Sequence, residues 1–178
     1  MLHYSMPALA AGFILDLMIG DPRWLYHPVC LIGNLIAFLE KILRKIFPKT
    51  DKGELAAGTV EVILVCLLSG GIPFLILHIL YGISVWAGFA LETFWCYQLL
   101  AGKCLKDESR KVYVQLVNHN LEGARHAVSM IVGRDTGNLS EAGVTKAAVE
   151  TVAENTSDGV IAPLIFMLIG GAPLGFFL

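Results

Sequence analysis

Residues 55–101 read LAAGTVEVILVCLLSGGIPFLILHILYGISVWAGFALETFWCYQLLA, with two acids, Glu61 and Glu92, and no Lys or Arg. The run is too long for one membrane span, which needs about 20 predominantly apolar residues. It predicts two apolar helices joined by a tight turn. Ser69-Gly70-Gly71-Ile72-Pro73 is the natural break, with Tyr81-Gly82 as the alternative. The expected fold class is therefore all-α, a multi-pass integral membrane protein.

Working outward towards the N-terminus, Leu31 to Phe47 has Leu31, Leu35, Phe38, Ile42 and Ile46 at three- and four-residue steps. Glu40, Lys41, Arg44 and Lys45 occupy other faces, and Pro48 ends the pattern. A basic amphipathic helix beside a membrane lies at the interface. Before it, Tyr4 to Ile19 is short for a span and carries Asp16. It reads as a tilted or partly buried span, or a re-entrant helix, closed by Gly20-Asp21-Pro22.

On the C-terminal side, Gly102 to Asp158 is polar and reads as soluble helices. Ser109 to Val132 carries an apolar stripe through Val117, Leu121, Ala124, Val128 and Ile131, with Gly133 as its C-terminal cap. Val144 to Thr156 is a second helix. Gly159 to Leu178 is apolar again, and the chain stops inside it, which reads as a span cut short. The expected organisation is one membrane domain over 1–178. Its parts are a short span (about 4–21), an amphipathic helix (31–47), a two-helix membrane hairpin (55–101), a cytoplasmic helical segment (102–158) and a truncated last span (159–178).

The thirteen Lys and Arg orient this scheme. Arg23, the cations between Lys41 and Lys52, and those between Lys103 and Lys146 account for all of them. A hairpin between them puts every cation on one side, the cytoplasmic side by the positive-inside tendency. Composition agrees: 56% hydrophobic, 16% charged and a mean hydropathy of +0.67, against about 25% charged in soluble domains. A net charge of −2 points to no nucleic-acid partner. Cys30, Cys66, Cys96 and Cys104 form no C-x-x-C pair and read as small apolar fillers.

Three polar stretches stand where their neighbours give little structural reason for them. The first runs from Asp16 through Asp21 to His27-Pro28. An ionisable residue at membrane depth needs a partner and suggests function. Asp16 and Asp21 read equally well as a helix-end acid and a turn acid, and His27 as a turn residue ahead of proline. In the second, Ile131 to Thr136, Gly133 and a turn present Arg134 at a helix end, where a planar guanidinium suits phosphate or carboxylate. An Arg134–Asp135 surface pair is the plainer account.

The third stretch is the most informative: Glu150-Thr-Val-Ala-Glu154-Asn155-Thr156-Ser157-Asp158-Gly159. Glu150 and Glu154 share one helical face, where like charges repel. Three acids and an amide this close suit a hard cation such as Mg²⁺, which takes oxygen ligands from one or two carboxylates plus substrate phosphates. A solvated helix face is the competing account. No G-x-x-x-x-G-K-[ST] occurs, so no P-loop holds a nucleotide. His119 and His126 lack a third ligand and read as surface or core histidines. Glu61 and Glu92 could mark an ion path, although an interfacial place for Glu92 and a polar neighbour for Glu61 account for them more simply.

Taken together, these stretches resemble the adenosylcobinamide-phosphate synthase family of cobalamin biosynthesis. Gly20-Asp21-Pro22 with His27-Pro28-Val29 and Leu31-Ile32-Gly33 resembles its N-terminal signature. Gly123-Ala124-Arg125 leading to Ser129 through Thr136 resembles the central one. Ala147 through Leu164 matches the most distinctive run almost throughout. The resemblance covers essentially all of this chain but only the first half to three-fifths of a typical member.

It implies a bacterial cytoplasmic-membrane enzyme, an acid–amine ligase. This would join adenosylcobyric acid to aminopropanol or aminopropanol phosphate with hydrolysis of ATP, in the presence of Mg²⁺. For that reaction the residues' own chemistry suggests that Glu150, Glu154 and Asp158 would hold the metal, directly or through water, and that Arg134 would bind phosphate. Asp135 would orient it or accept a proton from the amine. Asp21, His27 and Asn155 would contact substrate. A separate C-terminal half, or other cobalamin-pathway enzymes, are the partners implied beside the lipid bilayer. The competing classes are a non-catalytic membrane regulator or sensor of related topology, a transporter using Asp16, Glu61 and Glu92, and an inactive fragment.

Overall fold

The computed structural model describes residues 2–22 and 24–177; Arg23, part of the charge pattern, and Leu178, at the chain end, lie outside them. The chain is all-helical, with no strand among the described residues. It runs α1 (Leu2–Ile19), α2 (Pro28–Ile46), α3 (Asp51–Ile83), α4 (Val85–Gln98), α5 (Gly102–Val117), α6 (Leu121–Ser129), α7 (Glu141–Thr156) and α8 (Ala162–Gly175). A π-helical stretch, Ser157–Ile161, joins α7 to α8.

The apolar hairpin bends not at Ser69–Pro73 but at Ser84, just beyond the Tyr81-Gly82 alternative. α3 passes unbroken through Ser69–Pro73, and the chain turns at Ser84, whose extended backbone (φ −154°) and Oγ, 3.4 Å from the Ala87 amide, cap α4. Gly70 serves packing instead of a turn: a Cβ there would overlap the Phe177 ring. Ser69 Oγ bonds the Cys66 carbonyl at 3.3 Å beside the proline. At 1.5 Å per residue α3 is about 50 Å long and α4 about 21 Å, so the hairpin is lopsided. Two helical stretches, Asp51–Ile83 and Glu141–Gly175, are long and apolar enough to cross a membrane, and His3–Ile19 is a shorter apolar helix.

Two cores form. Leu9, Leu77, Cys96, Leu100, Met167 and Ala172 bind α1, α3, α4 and α8 into an apolar bundle. Val112, Ala124, Val128, Val144 and Ala147 hold α5, α6 and α7 together as a smaller polar-faced unit. The single helix expected over Ser109–Val132 is two helices. His119 takes a left-handed conformation (φ 52°), and Asn120 Oδ1 caps α6 through the Gly123 amide at 3.0 Å. Asn and His tolerate that backbone better than most residues, and Asn is a strong N-cap. α6 ends at Ser129 with Met130 as its cap, so Gly133 belongs to the following loop.

Bundle and unit meet at one junction. Ala101, which starts α5, has no capping side chain of its own, and Asp16 from α1 supplies the cap. Its Oδ2 accepts from the amides of Gly102 (3.0 Å) and Lys103 (3.3 Å). The Ala101 amide in turn donates to the Gly159 carbonyl at 3.1 Å. That carbonyl is available because Pro163, four residues on, has no N–H to offer it. Tyr97 Oη donates to the Gly20 carbonyl, and Gln98 Nε2 to the Tyr26 carbonyl at 3.2 Å.

Candidate functional site

The second and third polar stretches converge. A cleft of about 330 Å³ between the α6–α7 loop and α7 is lined by Gly133, Arg134, Glu150, Thr151, Glu154 and Asn155, with Ile131 and Val132 beside them. The loop is held from behind. Arg125 Nε on α6 donates to the Leu139 carbonyl at 2.7 Å, and Thr136 Oγ1 donates to the Arg125 carbonyl at 3.1 Å. Ser140 caps α7 through the Gly143 amide at 3.2 Å and so sets where its face begins. Arg125 and Thr136 are therefore positioning residues for Arg134. In the sequence Arg125 stood out only as the end of Gly123-Ala124-Arg125, and Thr136 only as the end of the Ser129–Thr136 run.

Within the cleft Arg134 Nη2 lies 3.2 Å from Glu150 Oε2, and Lys146 Nζ lies 3.6 Å from Glu150 Oε1. The Arg134 and Glu150 side chains are 57% and 51% exposed, and a pair that open to water contributes little to stability. Both cations also remain within reach of a solute anion. Asn155 Nδ2 donates back to the Thr151 carbonyl at 2.9 Å, which leaves its amide oxygen as an acceptor.

Other expected members stand elsewhere. Asp135 Oδ1 accepts from the Gly137 amide at 2.9 Å and closes the loop, outside the residues that line the cleft. Asp158 is not among the lining residues either. The reason is the π-helical stretch that begins at Ser157, whose wider i→i+5 bonding departs from the four-residue repeat linking Glu150 and Glu154. Among the described residues no three His, Cys, Asp or Glu side chains converge on a metal position. Glu150, Glu154 and Asp158 therefore do not form a closed protein cage. One carboxylate, Glu154, and the Asn155 amide oxygen beside a guanidinium do fit Mg²⁺ as it arrives on phosphates.

The first stretch builds a separate place. Asp21, Trp24, His27, Cys30, Cys104 and Glu108 line a cleft of about 390 Å³ that shares no lining residue with the Arg134 cleft. His27 caps α2, its Nδ1 accepting from the Val29 amide at 3.2 Å, so its turn role is structural while its ring edges the cleft. Asp16 is 1% exposed and engaged in the junction, a buried cap that a lone acid in an apolar run did not announce. Of the four free cysteines, Cys96 is buried as expected of a filler, whereas Cys30 is exposed and, like Cys104, lines this cleft.

Burial, reinforced by Asp21 and Glu108, pushes the Cys104 thiol above its usual range. A raised pKa keeps the thiol protonated to higher pH, so Cys104 alkylates slowly near neutrality. Its iodoacetamide rate is expected to keep climbing beyond pH 9, and Glu108→Gln to raise the rate at pH 8. A rate that levels off below pH 8 would show the carboxylates have no such effect.

An all-helical chain with membrane-length apolar helices and a polar three-helix unit bearing an arginine–carboxylate–amide cleft is the class these features define. A model of the CobD/Cbib protein family matches residues 9–178. The chain is 47% identical over 165 residues to a protein of Clostridium tetani named cobalamin biosynthesis protein CobD, an overlap of 93% of this chain and 51% of that one. It is 42% identical to the CobD of Klebsiella pneumoniae (96% of this chain, 53% of that one) and 40% identical to the cobalamin biosynthesis protein CbiB of Salmonella typhimurium (94% and 52%). No solved structure matches. The chain belongs to the CobD/CbiB family, and it spans about half the length of these relatives.

Proposed function

We propose that the chain takes part in cobalamin biosynthesis as the portion of an acid–amine ligase that carries the phosphate-handling cleft. The enzyme would join adenosylcobyric acid to aminopropanol or its phosphate at the expense of ATP. Family membership and the names of the relatives support the pathway. The observation that carries the chemistry is the convergence of Arg134, Glu150, Glu154 and Asn155 from two separate sequence stretches on one cleft.

A carboxylate does not acylate an amine in neutral water until one of its oxygens becomes a good leaving group. In the proposed reaction a substrate carboxylate oxygen attacks the terminal phosphorus of ATP, and ADP departs. The amine then attacks the acyl carbon and releases phosphate. Arg134 holds the transferring phosphoryl group by its planar fork, with Lys146 adding positive charge. Glu154 and Asn155 would offer oxygen ligands to the Mg²⁺ that accompanies the nucleotide, which would supply neutralising charge for the phosphates. Glu150 holds Arg134 before substrate arrives and yields it to phosphate.

The same reading places the chain in the bacterial cytoplasmic membrane, with the α3–α4 hairpin and α8 in the bilayer and the cation-bearing segments, α5–α7 among them, on the cytoplasmic face. Asp21, His27 and the remaining portion of the relatives' length would contribute substrate contacts, and no nucleic acid is involved. A form extended to the full length of the relatives, given adenosylcobyric acid, aminopropanol phosphate and Mg·ATP, tests the reading. Glu154→Gln is expected to lower product formation by about 10²-fold. Near-normal turnover would remove Glu154 from metal binding. A wild-type form that makes no amide from any of these amines would overturn the ligase reading itself.

A further inference from the structure

Glu92 sits within α4 with its side chain wholly buried, in a bundle built from apolar residues. Tyr81 Oη donates to its Oε2 at 2.6 Å, whereas Oε1 has no hydrogen-bond partner. A carboxylate oxygen left that way in an apolar interior is costly unless a counter-charge meets it. The titratable groups around it supply none. Tyr81 comes from α3, Tyr4 of α1 stacks on Tyr81 at 5.7 Å, and Cys96 lies one turn along α4. His78, one turn before Tyr81, is exposed and stacks on Phe74, and α8 has no ionisable side chain.

What Oε1 faces is the interruption of α8. Gly170 (φ −137°, ψ 18°) and Gly171 (φ 69°, ψ −169°) leave helical geometry inside an otherwise apolar helix. A Cβ on Gly171 would fall 2.5 Å from Glu92 Oε1 and 3.0 Å from Ser5 Oγ, so only glycine lets the backbone approach the acid. The interruption strips carbonyls of their helical donors, and Pro173 offers no N–H to the Ile169 carbonyl. A broken apolar helix against a buried carboxylate is the arrangement in which membrane proteins offer freed backbone oxygens to small cations.

We propose that Glu92 and the interrupted segment of α8 at Gly170-Gly171 form a buried binding site for a small monovalent cation of the Na⁺ class. The ion neutralises the carboxylate and ties α4 to α8 across the apolar core, independently of the ligase chemistry. Binding of this kind adds stability only in the folded state.

The test uses the whole chain in an uncharged detergent with N-methylglucamine as the buffer cation. Retention of ²²Na⁺ should saturate at about one ion per chain and be displaced by unlabelled Na⁺. Saturating Na⁺ should raise Tm by about 5 °C or more over N-methylglucamine chloride of equal ionic strength. Glu92→Gln, which keeps the size and removes the charge, should lose both effects. Glu92→Asp, which withdraws the carboxylate by one methylene, should raise half-saturating Na⁺ at least about tenfold; it serves if the glutamine variant does not fold.

No retention together with a Na⁺-independent Tm would overturn the site and leave Glu92 as a structural acid held by Tyr81 alone. A Tm that rises only as pH falls would identify the occupant as a proton and equally overturn it.

Discussion

Arg134→Ala, placed in a form extended to the full length of the relatives, is expected to lower ATP-dependent amide formation by about 10²–10³-fold, the range seen when one preorganised donor to a developing anion is removed. The guanidinium stands at the mouth of the Gly133–Asn155 cleft on a loop fixed by Arg125 and Thr136, so its direction is set before any anion arrives. Arg134→Lys keeps the charge without the fork, and recovery should be partial. The loss should fall on kcat more than on KM for ATP, because the donor meets charge that grows during transfer. With its side chain half open to water, Arg134 has little bearing on folding, and the thermal melt should move by no more than about 1 °C. Unchanged turnover in the alanine variant would show that the cleft does not handle phosphate.

Asp16→Ala should have the largest effect on stability. It removes an acceptor of two amide donors at the start of α5 and leaves those donors half-buried between α1 and the helix they begin. Loss of a charged acceptor and a cap together is worth about 2–3 kcal/mol, or a Tm lower by about 5–10 °C for a chain of this size. Asp16→Asn keeps an oxygen in place and should cost about half as much. Melts of the three proteins in one detergent decide it. An alanine variant as stable as the parent would mean that the Gly102 and Lys103 amides find water and the junction does not depend on the cap. Gly102 has a matching constraint, since a Cβ there would stand 2.8 Å from Asp16 Oδ2.

Much of the helical order was legible because hydrophobic period and caps are local. The amphipathic pattern of α2, the apolar length of α3 and the polar helices after Gly102 follow from residues within a few positions of one another. The misplaced boundaries have two causes, a long-range contact and local caps. Ser69–Pro73 carries every local mark of a turn, yet Gly70 meets Phe177, a residue more than a hundred positions away, and the helix continues. Ser84 and Asn120 are ordinary capping residues whose effect outweighed an unbroken apolar stripe.

The candidate site divides in the same way. That Glu150 and Glu154 share a face, and that Arg134 is held on a loop ahead of α7, was readable from spacing. That the loop turns its arginine onto that face depends on the Arg125–Leu139 and Thr136–Arg125 bonds. The exclusion of Asp158 depends on a π-helical stretch, and the Gly159 carbonyl in that stretch is taken by Ala101. By itself the sequence determined the helical class, the apolar segments and the residue types of the cleft, because composition and period act within a turn or two. Tertiary structure alone decided what meets each buried acid and which residues share a cleft. The partner of Asp16 comes from the distant start of α5 and that of Glu92 from the facing helix α3, and an acid's role in an apolar interior is set by the group that meets it.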